Sequence, residues 1–181
     1  MSNVGSFQLP DPAGRAGGAC TSALLSILYE DKNKNEEEMS FKDVLFRIRE
    51  ILDEKGFSQI PQLSSSRMMD VDTQFDITHP DFNGTKRAVM IGINYVGQDG
   101  ELAGCHNDVL NMKDYLMDVH EFEDENIMVL MDDGVHTDPT MDNIMYAYRK
   151  IVQDSEPGDV VYLHYSGKSA TYSFSSHNFF Y

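Results

Sequence analysis

The sequence predicts an α/β fold built on a mostly parallel sheet, and three observations carry that prediction. Arg87-Ala-Val-Met-Ile-Gly-Ile93 is a nearly continuous apolar run, the mark of a strand covered on both faces. Two further strand-like runs, Asn126 to Met131 and Val160 to Tyr165, follow at intervals long enough for one helix each. The intervening stretches, Asn107 to Val119 and Asp138 to Asp154, have helical apolar spacing. Strand–helix–strand–helix–strand with short links implies right-handed crossovers and parallel pairing.

Before that unit the chain reads differently. Met1 to Gly18 is rich in Gly, Pro and Ser and predicts loop. Thr21 to Tyr29 predicts a short helix with Ala23, Leu24, Ile27 and Leu28 on one side. Lys32 to Glu38 is a charged, solvated connection. Ser40 to Lys55 is the clearest helix: Phe41, Val44, Leu45, Ile48, Ile51 and Leu52 recur at helical spacing. Ser40 with Asp43 forms a capping-box start, and Gly56 stops the helix. Pro61 to Ser65 is expected as a short strand, Arg67 to Pro80 as a connection, and Phe82-Asn83-Gly84 as a turn.

In the second half, Val109, Met112, Leu116 and Val119 are expected inward on the first helix. Asp132-Asp133-Gly134 closes the second strand. Pro139 is expected in the first turn of the last helix, whose apolar face is Met141, Ile144, Met145, Tyr148 and Ile151. Glu156-Pro157-Gly158 ends that helix. The final strand, up to Gly167, is expected to be buried and to deliver a polar loop at its C-terminal end, where open α/β sheets collect ligands. From Lys168 to Tyr181 the composition breaks, with no Asp or Glu. The expected organisation is therefore 1–82, 83–167 and a 168–181 tail.

The 181 residues fit one domain with a real core. A net charge of -16, from 30 acidic and 14 basic residues, argues against nucleic acid and anionic membranes. It serves solubility, and it also attracts cations, basic peptides included. Two cysteines make no disulfide framework, and no metal-ligating Cys/His spacing exists. No signal peptide or membrane span is legible, so a cytoplasmic, reducing compartment is expected. The sequon Asn83-Gly84-Thr85 is accordingly read as chance.

Cys105 and His106 sit at a loop-to-helix junction. A helix N-terminus favours a thiolate, but neighbours at a helix start point apart, so a half-buried structural thiol with Asn107 or Asp108 capping is the preferred reading over a nucleophile. His164 and Ser166 share a strand face, which allows a Ser–His pair, against a plain core histidine. Asp132-Asp133 and Asp70/Asp72 evoke calcium without following the EF-hand spacing, and are read as a turn and a solvated loop. No P-loop, dinucleotide fingerprint or nucleophile elbow is present.

Taken together, these residues resemble the metacaspases, caspase-like cysteine peptidases. Lys86-Arg-Ala-Val-Met-Ile-Gly-Ile-Asn-Tyr95 is similar to the opening strand of the family's large subunit, and Gly100-Glu-Leu-Ala-Gly-Cys-His-Asn-Asp108 to its "L-x-G-C-x-N-D" helix start. Asp132-Asp133, Pro139-Thr140 and Val160-Val-Tyr-Leu-His-Tyr-Ser-Gly167 continue the match in order. Gly17-Gly-Ala-Cys-Thr-Ser-Ala-Leu-Leu25, Met39 to Leu52 and Ile60 to Ser66 resemble the end of the small subunit, here placed first, as in the type III order.

The resemblance implies a caspase-like three-layer sandwich, circularly permuted and incomplete, and cleavage after Arg or Lys with calcium dependence in the intact family. The family's cysteine loop, "D-x-C-H-x-G", does not occur in this sequence. Lys168 stands where the family's "Y-S-G-H-G" places its general-base histidine. The family's calcium ligands fall beyond that point, so no cofactor is expected here. Cys105, Asp108 and Ser166 match the pocket for the basic side chain ahead of the scissile bond. The expectation is a truncated metacaspase, inactive alone, with basic peptides or a full-length metacaspase as partners. The alternative is a non-catalytic binding module that regulates a full-length relative.

Overall fold

The computed structural model describes residues 17–33, 39–78 and 82–168. Expectations for the N-terminal loop up to residue 16, for residues 34–38 of the charged connection, for 79–81, and for the tail beyond Lys168 lie outside the described residues.

Three parallel strands form the centre. β1 (Lys86–Gly92) lies between β2 (Ile127–Met131) and β3 (Val160–Ser166). Ala88 pairs with Ile127 and Tyr162, and Gly92 with Met131 and Ser166. Alternation along β1 therefore sends Ala88 and Met90 to one face, and Val89 and Ile91 to the other. On the first face they join Val109, Met112 and Leu116 of α3 (Cys105–His120) and Leu25 and Leu28 of α1 (Ala19–Asn33). On the second face Val89, Ile91 and Leu130 pack under Ala147 and Ile151 of α4 (Met141–Asp154). Helices on both faces of a parallel sheet make the expected three-layer α/β arrangement, consistent with a caspase-like fold.

α2 (Phe41–Glu54) packs outside α1, burying Val44, Ile48 and Leu52 against Ala23 and Ile27. Its start is the expected capping box. The Ser40 hydroxyl accepts from Asp43 N at 3.1 Å, and Ser40 N donates to Asp43 Oδ2 at 3.1 Å. Two more first-turn N–H groups are taken up by a returning loop: Phe41 N donates to Thr73 O and Lys42 N to Val71 O. Ser40→Ala should cost about 1 kcal/mol in chemical denaturation, the usual worth of an N-cap.

Four local expectations need correction. Pro61–Ser65 forms no strand; among the described residues it pairs with no other strand, and the Arg49 guanidinium holds the Pro61 carbonyl at 2.7 and 2.9 Å. Pro139 does not occupy the first turn of α4: Thr140 is the N-cap, accepting from Asn143 N at 3.3 Å, and Pro139 lies outside the helix. Met141 and Met145 of α4 are exposed, and Ala147 is buried in their stead. Finally, among the described residues β3 is covered on one face only. Val161, Leu163 and Tyr165, cross-strand from Arg87, Val89 and Ile91, are exposed, because among the described residues the buried α4 side chains pack on β1 and β2. No helix among the described residues is long and apolar enough to cross a membrane.

Candidate functional site

The starts of α1 and α3 meet beside the C-terminal end of β3 and enclose a cleft of about 490 Å³. Asp108, in the first turn of α3 and 3% exposed, forms its wall. Gly18 N donates to Asp108 Oδ1 at 2.5 Å, and Ser166 Oγ donates to Oδ2 at 2.6 Å. That approach requires glycine: a Cβ on Gly18 would stand 2.5 Å from Asp108 Oδ2. A carboxylate buried with two donors on it is the rule for charge inside a protein.

Cys105 is buried and lines the same cleft. Its thiol pKa is raised by burial, against a lowering hydrogen bond with Ser166; the Asp108 and Asp132 charges raise it further. Burial thus outweighs the hydrogen bonds that would favour a thiolate. The expected cap by Asn107 or Asp108 is not what is found. Gly104 is the N-cap without a side-chain bond, and Cys105 N instead donates to Asn94 Oδ1 at 2.9 Å. Cys20 is exposed as a residue yet stands on the cleft wall, where partial desolvation first and the Asp108 charge second raise its thiol.

His106 points away from Cys105, as neighbours at a helix start do, and its Nε2 lies 2.6 Å from Asp132 Oδ1. His164 shares its strand face with Ser166 and also lines the cleft. Burial drops its pKa to about 4, so the imidazole is neutral. Burial pushes Tyr162, next on the same face, up to about 12. Lys168 is exposed. Its ammonium hydrogen-bonds the Gly100 carbonyl and lies 5.4 Å from the centre of the Tyr95 ring. Its backbone N–H donates to the Tyr95 hydroxyl, and its carbonyl accepts from the Tyr165 hydroxyl, each at 3.2 Å.

The structure therefore brings Cys105, Asp108 and Ser166 together and sets Lys168 apart on the Tyr95 loop. Sequence reading missed Gly18, which closes the pocket from 90 positions away; the Gly17-Gly18 pair before a helix was the available signal. It also missed Asn94 as the cap of α3. The described acidic residues do not fit a calcium site. No group of three or more His, Cys, Asp or Glu among them could hold a metal. Asp132 and Asp133 already spend their oxygens on N–H donors, and Asp72 pairs with Lys42.

The metacaspase, peptidase C14 domain family model matches residues 86–178. Metacaspase III c of Phaeodactylum tricornutum is 57% identical over 171 residues, covering 94% of this chain and 51% of that one. Metacaspase-1 of Pyricularia oryzae is 43% identical over 86 residues, 46% of this chain and 22% of that one. Metacaspase-1B of Neurospora crassa is 44% identical over 87 residues, 47% of this chain and 20% of that one. The chain spans about half the length of the Phaeodactylum tricornutum relative, and its match covers about a fifth of the other two. A single match over 94% of the chain takes in both the α1–α2 segment and the sheet, so the Phaeodactylum tricornutum relative carries them in the same order.

Proposed function

The chain belongs to the metacaspase family, and from that membership we propose that its cleft receives the Arg or Lys side chain ahead of a scissile bond, while these 181 residues alone do not turn peptide over. The observation that carries the first part is Asp108. It is a buried carboxylate, anchored from both sides and set in the wall of an open cleft. A guanidinium or ammonium entering there meets a preplaced negative charge. The chain's net charge of -16 draws cations toward it.

The second part follows from the thiols. The sequence holds two cysteines, and the environment raises both pKa values, which disfavours the nucleophilic form. The Lys168 ammonium is engaged by a carbonyl and a ring, and a lysine needs strong desolvation to act as a base near neutral pH. The expected result is no hydrolysis of fluorogenic Arg or Lys peptides by the purified chain, with or without calcium. The same protein should bind agmatine, a guanidinium probe, and Asp108→Asn should weaken that binding roughly ten-fold or more. Turnover abolished by Cys105→Ser would overturn the inactive reading; failure of the wild type to bind agmatine would overturn the pocket.

One observation favours a second reading, a binding module that regulates a full-length metacaspase. Val161, Leu163 and Tyr165 leave an apolar face of β3 open, and such faces mark contact surfaces. Adding the chain to an active metacaspase and measuring its turnover distinguishes the two readings.

A further inference from the structure

We propose that Asp132, just beyond β2, is a positioning residue for the cleft: it touches nothing that enters there, but clamps the 94–104 loop onto the start of α3 and so sets where Cys105 and Asp108 stand. This rests on reading the cleft as the receiver of a basic side chain. The geometry is a relay of hydrogen bonds. Asn94 N donates to Asp132 Oδ1 at 2.8 Å and Val96 N to Oδ2 at 3.2 Å, and the Tyr95 N–H between them adds to holding this carboxylate charged. Successive N–H groups turned toward one anion form a nest. Tyr95 sits within it at φ 58°, a left-handed conformation that a non-glycine residue keeps only when its surroundings hold it.

Asn94 carries the constraint forward. Its carbonyl accepts from Leu102 N at 2.7 Å, and its side-chain oxygen accepts from Cys105 N at 2.9 Å. That bond replaces the side-chain cap that Gly104 cannot supply. A second tie runs through His106, whose Nε2 lies 2.6 Å from Asp132 Oδ1. The first turn of α3 is thus held twice by one carboxylate, and Asp108 lies in that turn. Partial burial works against the Asp132 charge, but the bonds from His106 and the three N–H groups outweigh it and hold its pKa below the ordinary value.

Asp133 provides a built-in comparison. It accepts from Val135 N at 3.0 Å and His136 N at 2.9 Å, within its own loop. A misplacement of about an ångström set from outside a site can cost up to ~100-fold in rate, and a loose supporting shell weakens a binding site in the same way.

The test is an agmatine titration of the 181-residue chain by calorimetry, with folding followed by circular dichroism. Asp132→Asn should weaken binding by the folded protein about ten-fold, and Asp133→Asn by less than about two-fold. The Cys105 amide resonance should move, and its hydrogen exchange should accelerate, in Asp132→Asn only. A purely structural role would lower the melting temperature and leave the affinity of the folded fraction at the wild-type value; that result overturns the proposal. If Asp132→Asn does not fold, His106→Gln, which cuts one of the two ties, should weaken binding about three-fold, and unchanged affinity would overturn it equally. Wild-type protein that binds no agmatine removes the pocket reading itself. Wild-type protein that binds, with variants that bind as well, removes only the role of Asp132.

Discussion

Leu116→Ala should lower the unfolding free energy by about 3–5 kcal/mol, which is enough to leave much of the chain unfolded if its stability lies at the low end of the usual range of about 5–15 kcal/mol. Leu116 has no exposed surface. It stands where three elements meet: Val109 and Met112 of its own helix, Leu25 and Leu28 of α1, and Ala88 and Met90 of β1 share its core. The truncation removes the transfer energy of the side chain and leaves a cavity that rigid neighbours on three sides cannot fill. The Leu116 carbonyl also ends the helix, accepting from Phe122 N at 3.1 Å while Glu121 turns left-handed at φ 55°. The substitution keeps that backbone bond, so the loss reports packing. Urea denaturation of both proteins measures it. A loss under about 1 kcal/mol would mean that α1 and α3 can collapse onto the gap and that this core is not closely packed.

The elements that the sequence made legible are those whose signals are local. α2 announces itself by apolar spacing and by Ser40 and Asp43 three residues apart, and both hydrogen bonds of that box form. β1 reads as doubly covered because every residue from Ala88 to Gly92 is buried. β3 carries a similarly apolar sequence and misleads for that reason: composition records what a strand is suited to, whereas burial depends on whether a helix lies above it. Here α4 stops short, and Leu163 is 56% exposed. At the cleft, Cys105, Asp108 and Ser166 could be named from family spacing alone. What closes the site could not be read. The Gly18–Asp108 bond spans 90 positions and the Asn94–Asp132 bond 38. Neither leaves any periodicity in the chain, and an aspartate in Asp-Asp-Gly looks like a turn residue whether it caps its own loop or clamps another.

The second large effect is one of pH. Burial holds the His164 imidazole at a pKa of about 4 in the folded protein, whereas an unfolded chain leaves histidine near its ordinary value of about 6.5. Between these values the unfolded state binds the proton and the folded state does not, so protons favour unfolding and stability falls as the pH falls. The loss begins near pH 6.5 and is nearly complete at pH 4, amounting to about 3 kcal/mol. His164→Leu removes the titrating group, and its stability should change correspondingly less over that window. The carboxylates act later. Asp133 sits at about 2: its burial is overcome by the His136 and Val135 N–H groups and by the His136 ring, so its stabilisation is present above about pH 4 and disappears only as the pH falls toward 2. Acid unfolding should therefore show a histidine phase first and a carboxylate phase below it. Urea melts of wild type and His164→Leu at half-unit steps from about pH 7.5 to 3.5 separate the two. Parallel curves above pH 4 would mean that His164 opens to solvent and takes up its proton without unfolding, and that the inner face of β3 is less closed than its burial indicates.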